Sequence, residues 1–216
     1  MKVLAVICQK GGVGKTTLAT ALAVAAQEDG KTAAVFDLDA QGSAAFWKDM
    51  RSAEGPAVVS VQPVRLPHML KAAREAGTDL VVLDTPPIAK DVAFLAAEHA
   101  DFILIPTRPA VLDVMAATET LKLVKRASEP PRPAAVVVNF ATAQGREVAD
   151  TEETIRQLGA NLAPVRLHLR VAYSRAQQTG SAAMEIERSG KAADELKRLY
   201  DYVCMNLYSH TRSEKK

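Results

Sequence analysis

Cysteine is scarce: Cys8 and Cys204 are the only two, far apart and without a C-x-x-C spacing. A disulfide scaffold is thereby excluded, a zinc site is disfavoured, and a reducing compartment, the cytoplasm, fits. A run of about 18 apolar residues, the minimum for a membrane-spanning helix, is missing. The four histidines (His68, His99, His168, His210) are scattered, with no metal spacing and no Ser–His–Asp grouping. Charge of one sign is not in excess either. With 27 Lys or Arg against 25 Asp or Glu the net charge is +2, so any basic surface must come from local arrangement. Internal repeats and low-complexity linkers are absent.

What is present is an ordinary globular balance, 48% hydrophobic and 24% charged, which excludes disorder for most of the chain. The 216 residues suit one large domain, on a scale of roughly 100–200 residues each. It is placed here at residues 1–208, followed by a polar, basic tail at 209–216. The apolar opening Met1-Lys2-Val3-Leu4-Ala5-Val6-Ile7 runs straight into a Gly-rich loop, so it reads as a buried strand and not as a signal peptide.

Short apolar runs at 3–8, 33–36, 58–61, 80–83, 102–105, 134–138 and 165–169 predict strands. Most are continuous and not alternating, as in parallel strands covered on both faces. Helical patterns at 15–29, 66–76, 89–99, 111–128, 151–158 and 190–208 lie between or after them. The alternation predicts an α/β fold of three layers, a mainly parallel central sheet flanked by helices.

Lys10-Gly11-Gly12-Val13-Gly14-Lys15-Thr16-Thr17 follows the first predicted strand and opens the first helix. Glycines let backbone N–H groups converge on an anion, and the helix N-terminus adds a positive dipole end. Lys15 suits the β- and γ-phosphates and the Thr16 hydroxyl suits Mg²⁺. The usual G-x-x-x-x-G-K-[ST] pattern is not met, because Gln9 stands at its first glycine and Lys10 lies inside the loop. This stretch resembles the deviant Walker A loop of the ParA/MinD family of P-loop ATPases. The resemblance implies a P-loop NTPase fold, ATP and Mg²⁺ as cofactors, and nucleotide binding by residues 11–17. It also implies a homodimer that sandwiches ATP, with Lys10 reaching the partner's phosphates. Lys10, Lys15 and Asp39 are then the catalytic set, and hydrolysis is slow until a partner stimulates it.

Asp37-Leu38-Asp39-Ala40-Gln41-Gly42-Ser43 follows the second strand. It resembles the family's D-x-D-P-Q box, which gives Asp39 the attacking water and a place near Mg²⁺; Ala40 replaces the usual proline. Asp37 reads equally as a functional acid or a capping residue. Leu80-Val81-Val82-Leu83-Asp84 is an apolar strand ending in an acid, a Walker B pattern in which Asp84 holds Mg²⁺ through water. A buried carboxylate without a cation would be costly, which supports that assignment. The metal set is therefore Thr16, Asp39 and Asp84.

Val136-Val137-Val138-Asn139 ends where relatives approach the purine, and the guanine-reading Asn-Lys-x-Asp is missing, so ATP is favoured over GTP. Asn139 is either an adenine contact or a strand-end cap. Asp113 reads as an interface group or as an acid favoured at a helix N-terminus. Residues 165–216 hold 10 Lys or Arg against 6 Asp or Glu, whereas the first 164 hold 17 against 19. In similar ParA proteins such a C-terminal region binds nonspecific DNA, a salt-sensitive phosphate contact. The candidates are Arg166, Arg170, Arg175, Lys197 and Arg198, with Arg170 also assignable to the nucleotide side. The loop opens close to residue 1, without a preceding helix-turn-helix, as in the small ParA branch. That branch implies a nucleoid-associated switch with a ParB-like or cargo-adaptor partner, which segregates a plasmid or positions a cargo. Two rivals are a MinD-like membrane-surface regulator and a metabolic or maturation ATPase on the same fold. The polar end of the chain speaks against stable membrane insertion.

Overall fold

The computed structural model describes residues 1–143 and 146–208. The expected tail at 209–216 lies outside the described residues. Six strands form one sheet: β1 (Lys2–Val6), β2 (Ala33–Asp37), β3 (Ala57–Ser60), β4 (Leu80–Asp84), β5 (Phe102–Thr107) and β6 (Ala134–Val138). Every pairing is parallel, in the order β3-β2-β4-β1-β5-β6. The helices are α1 (Lys15–Glu28), α2 (Ser43–Asp49), α3 (Leu66–Glu75), α4 (Lys90–His99), α5 (Val111–Arg126), α6 (Arg146–Gln157), α7 (Val171–Gln178), α8 (Ala183–Ile186) and α9 (Lys191–Tyr208).

Strand pleating sorts the core into two halves. Leu4, Val6, Val82, Leu104 and Val137 face α1, α2, α7, α8 and α9. Val3, Ala5, Val81, Ile103 and Val136 face α3, α4, α5 and α6. This is the predicted three-layer P-loop arrangement, and it explains why the strands are apolar without alternation. The stripe foreseen on the last helix is real: Leu196, Leu199, Val203 and Leu207 are buried against the sheet's α1 side. Each such side chain contributes roughly 1.5–3 kcal/mol of burial. Among the described residues no helix is long and apolar enough to cross a membrane.

Some expectations are corrected. The stretch 165–169 is not a strand. It runs beside β6 with isolated bridges at Leu162 and His168, and with Leu167 exchanging backbone bonds with Val138 and Ala141. Pro164, which has no N–H to donate, interrupts a regular ladder there. Helices α2, α7 and α8 arise where no helix was expected, and α6 starts five residues before the predicted 151.

Two of the added helices are tied together. The Trp47 indole N–H donates to the Ser181 carbonyl at 3.0 Å, and the Arg51 guanidinium lies over the Trp47 ring. Arg51 also donates to the Gly180 carbonyl at 2.9 Å and forms a forked pair with Glu185 at 2.8 and 2.9 Å. This clamp fixes the end of α2 to the α7–α8 junction.

Candidate functional site

The site forms where β1, β2 and β4 end, at the carboxyl edge of the sheet, which is where ligands bind in such folds. The loop from β1 turns on Gly12 (φ 71°) and Gly14 (φ 90°), both in the left-handed region. A Cβ on Gly14 would collide with the Asn139 amide nitrogen. Gly14 is the N-cap of α1 and supplies no side-chain cap. The first N–H groups of α1 are thus left for an anion.

Lys15 is buried, and its Nζ donates to the Lys10 carbonyl at 3.0 Å. Burial pushes its pKa down, while the charges of Asp84 and Asp39 oppose that shift. Both acids therefore lie within electrostatic reach of the ammonium. Beneath the loop, burial likewise pushes the Cys8 thiol up.

The three carboxylates are sorted by their surroundings. Asp37 is buried and accepts backbone N–H bonds from Asp39 (3.0 Å), Ala44 (3.1 Å) and Ala45 (3.2 Å). It thereby fixes the start of α2, which is the capping role. Asp39 is half-buried and accepts only the Gln41 N–H, at 2.9 Å, from the backbone. Asp84 is 1% exposed, and neither of its oxygens has a hydrogen-bond partner among the described residues. Burial raises its pKa to about 7, with the nearby Thr16 hydroxyl and Lys15 pulling the other way.

An orphaned buried carboxylate beside a threonine hydroxyl is the donor set of a hard cation that keeps waters and takes further oxygens from phosphate. Among the described residues no three His, Cys, Asp or Glu could hold a metal by themselves. That also suits Mg²⁺ bound chiefly through a phosphate ligand. The residues present fit the cation.

A cavity of about 320 Å³ over the loop is lined by Gly12, Lys15, Thr16, Asp39, Gln41 and Gln177, among others. A second, of about 150 Å³, shares Thr17 and Gln177 with it and continues toward Asn139 and α7. Together they fall in the ~300–1,000 Å³ range usual for cofactor pockets. Asn139 is buried. Its Nδ2 donates to the Val13 carbonyl at 2.8 Å, and its Oδ1 accepts the Phe140 N–H at 2.9 Å. It braces the phosphate loop while lining the second cavity. Asp113, in the first turn of α5, is buried and forked to Arg108 at 3.1 and 3.3 Å.

The basic candidates do not all gather. Arg166, Arg170 and Arg198 line one groove of about 680 Å³, together with Arg156 and Lys191. Arg166 pairs with the buried Glu152, and Arg170 with the buried Glu195 at 2.5 Å. Arg198 pairs with Asp194 at 3.7 Å on the surface. Lys197 lines a different cavity, with Arg188 and Glu28, and Arg175 is exposed on α7. Sequence reasoning did not find Gln177, Tyr173 or the Trp47–Arg51 clamp. No motif marks them, because their neighbourhood is made only by the fold.

The family described as CobQ/CobB/MinD/ParA nucleotide binding domain matches residues 4–183. The maintenance of carboxysome distribution protein A of Halothiobacillus neapolitanus is 33% identical over 211 residues, covering 93% of this chain and 95% of that protein. Its counterpart in Gloeobacter kilaueensis is 34% identical over 213 residues, covering 95% and 94%. Among solved structures, apo McdA from Cyanothece superposes with a TM-score of 0.79 at 18% identity, covering 94% of this chain and 99% of that one. The MinD of Pyrococcus horikoshii, complexed with Mg-ADP, gives 0.78 at 16% identity, covering 94% and 95%.

Proposed function

The chain belongs to the CobQ/CobB/MinD/ParA nucleotide-binding family, whose ParA/MinD members are ATPases, and from that premise we propose that it is an ATP-driven switch. In this reading it pairs with a second copy around ATP and Mg²⁺, binds nonspecific DNA in that state, and is reset by hydrolysis. One observation carries the pairing. Large apolar side chains stand exposed on the segments that follow the strands at the edge where the phosphate cavity opens. They are Phe46 (63%), Ile88 (80%), Val111 (77%), Leu112 (69%) and Leu169 (66%). Exposed apolar surface around a polar site marks an interaction face, and a face at the nucleotide cavity suits a partner that covers the nucleotide.

Mg²⁺, when bound, would neutralise phosphate charge and orient the oxygens that react. The chain's own groups do the rest. The N–H groups of residues 11–17 and the Lys15 ammonium hold the phosphate oxygens. Thr16 and Asp84 hold the cation's side, and Asn139 keeps the loop in shape. Asp39 accepts a hydrogen bond from the attacking water, whose oxygen bonds to the terminal phosphorus as the bond to ADP breaks. Phosphoryl transfer needs such positioning and charge neutralisation more than covalent chemistry. Lys10, whose ammonium makes no ion pair among the described residues, is the group available to a partner copy's phosphates.

The groove holding Arg166, Arg170 and Arg198 is the DNA surface in this reading, with a ParB-like or cargo adaptor as the stimulating partner. The relatives named for carboxysome distribution favour a large protein cargo over a plasmid. The setting is the nucleoid of a cytoplasm. The MinD-like membrane alternative gains nothing from α9, whose apolar stripe is already packed on the sheet.

The test is duplex DNA binding at low and moderate salt with ADP, with ATP, and with ATP on Asp39→Ala. Binding that needs ATP, strengthens in the variant and falls with salt is expected. No binding in any nucleotide state would remove the DNA switch. An Asp39→Ala protein that turns over ATP at the normal rate would remove the role given to Asp39.

A further inference from the structure

Among the described residues only three buried side-chain polar atoms lack a hydrogen bond: the two Asp84 oxygens and the Tyr173 hydroxyl. Native interiors leave few such atoms, and each requires a cause. A cation accounts for the Asp84 pair. Tyr173 has no such account, and it lies in the wall of the smaller cavity beside the phosphate site.

That cavity is a narrow, mainly apolar slot. Phe140 and Leu169 line it, with Tyr173, Ser174 and Gln177 contributed by α7. Residues 173 and 177 are one turn apart and share a helix face. Gln177 and Thr17 also line the phosphate cavity, so a ligand seated on the loop continues directly into the slot.

The opposite wall is held in a costly shape. Phe140 has φ 55°, in the left-handed region. A bulky residue there costs on the order of 1–3 kcal/mol and needs surroundings that impose it. Asn139 imposes it, through the bond from the Phe140 N–H and the bond to the Val13 carbonyl. Both ends of the Asn139 amide are engaged in bracing, which leaves the Tyr173 hydroxyl as the unanswered polar atom of the slot.

We propose that Tyr173 positions the base of the nucleotide, its hydroxyl donating to a ring nitrogen of a purine lodged beside Phe140. This rests on the nucleotide reading above, but on neither the dimer nor DNA. Burial and the Glu195 charge push the Tyr173 pKa up, so the hydroxyl stays protonated and remains a donor across working pH. Purines offer ring nitrogens without hydrogens as acceptors, and a base-free triphosphate offers none.

Titration calorimetry of the wild type and Tyr173→Phe separates the outcomes. The ligands are ATP, ribose 5′-triphosphate, and the 1-, 3- and 7-deaza analogues of ATP, all with Mg²⁺. The expected result is a loss of about 3- to 10-fold in ATP affinity for Tyr173→Phe, the worth of one neutral hydrogen bond. Ribose triphosphate should bind both proteins equally, which also shows that the variant is folded. One deaza analogue should bind the wild type with the same deficit and lose nothing further in the variant. Unchanged ATP affinity would overturn the proposal, leaving the hydroxyl to a water. An equal loss with ribose triphosphate, or deficits that add for all three analogues, would overturn it too. A wild type that binds neither triphosphate would overturn the nucleotide reading along with it.

Discussion

Replacing Asp84 by Asn tests the cation assignment through stability, before any ligand is added. Asp84 is 1% exposed, and its pKa is raised by burial from 3.8 to about 7. An acid raised on folding binds more protons in the folded chain than in the unfolded one. Its contribution is therefore best at low pH, and stability is lost as pH climbs from about 4 to about 7. The two values differ by about three pH units, which at about 1.4 kcal/mol per unit is ~4 kcal/mol lost by pH 8. Against a typical total of about 5–15 kcal/mol, that is a large share. Asp84→Asn removes this titration and keeps the shape. Urea unfolding at pH 5 and pH 8 should show the variant gaining on the wild type by roughly 3–4 kcal/mol across that interval. The sign should reverse with saturating ATP and Mg²⁺, which stabilise the form that binds them better. A difference between the two proteins that is the same at both pH values would refute the reasoning, because the carboxylate would then not be carrying the cost.

Three further outcomes follow from the geometry. Gly14→Ala must adopt φ 90° and displace the Asn139 amide, so a loss of about 2–3 kcal/mol and of ATP binding is expected, read by thermal unfolding and calorimetry. Arg51→Ala leaves Glu185 and the Gly180 carbonyl without their donor; about 2–3 kcal/mol should be lost in urea unfolding, and Glu185→Gln should lose less. Lys10→Ala should bind ATP nearly as the wild type does, yet sediment as a monomer with ATP; a full ATP-dependent dimer would count against the cross-contact.

The sheet was readable because its strands are covered on both faces, which leaves continuous apolar runs such as Leu80–Asp84 that only a parallel interior requires. The phosphate loop was readable because glycine and lysine spacing there is dictated by an anion. The seven-residue α2 was not, since Ser43–Asp49 is too short for a period to show. Val165 and Leu167 are buried like strand residues, but Pro164 breaks the ladder, and burial alone does not reveal that. Asp37 and Asp39 look alike in sequence and part only when the backbone of α2 turns back onto Asp37. The Arg166 and Arg170 charges were visible, but Glu152 and Glu195, which hold them, come from helices distant in sequence. Tyr173 carries no local signal at all, because its significance is a missing partner.

The strand order also bears on how the chain is made. β1 is the first strand to be synthesised, yet it sits between β4 and β5. Its apolar residues have no lateral neighbour until residue 80 exists and no second one until residue 102. The nascent protein therefore carries an unpaired apolar edge through nearly half of its translation, a state prone to aggregation. The brace on the phosphate loop comes later still, at Asn139. Ribosome-bound chains ending before that residue contain every loop residue from 10 to 17 but lack its support, so acquisition of triphosphate affinity would time the completion of folding.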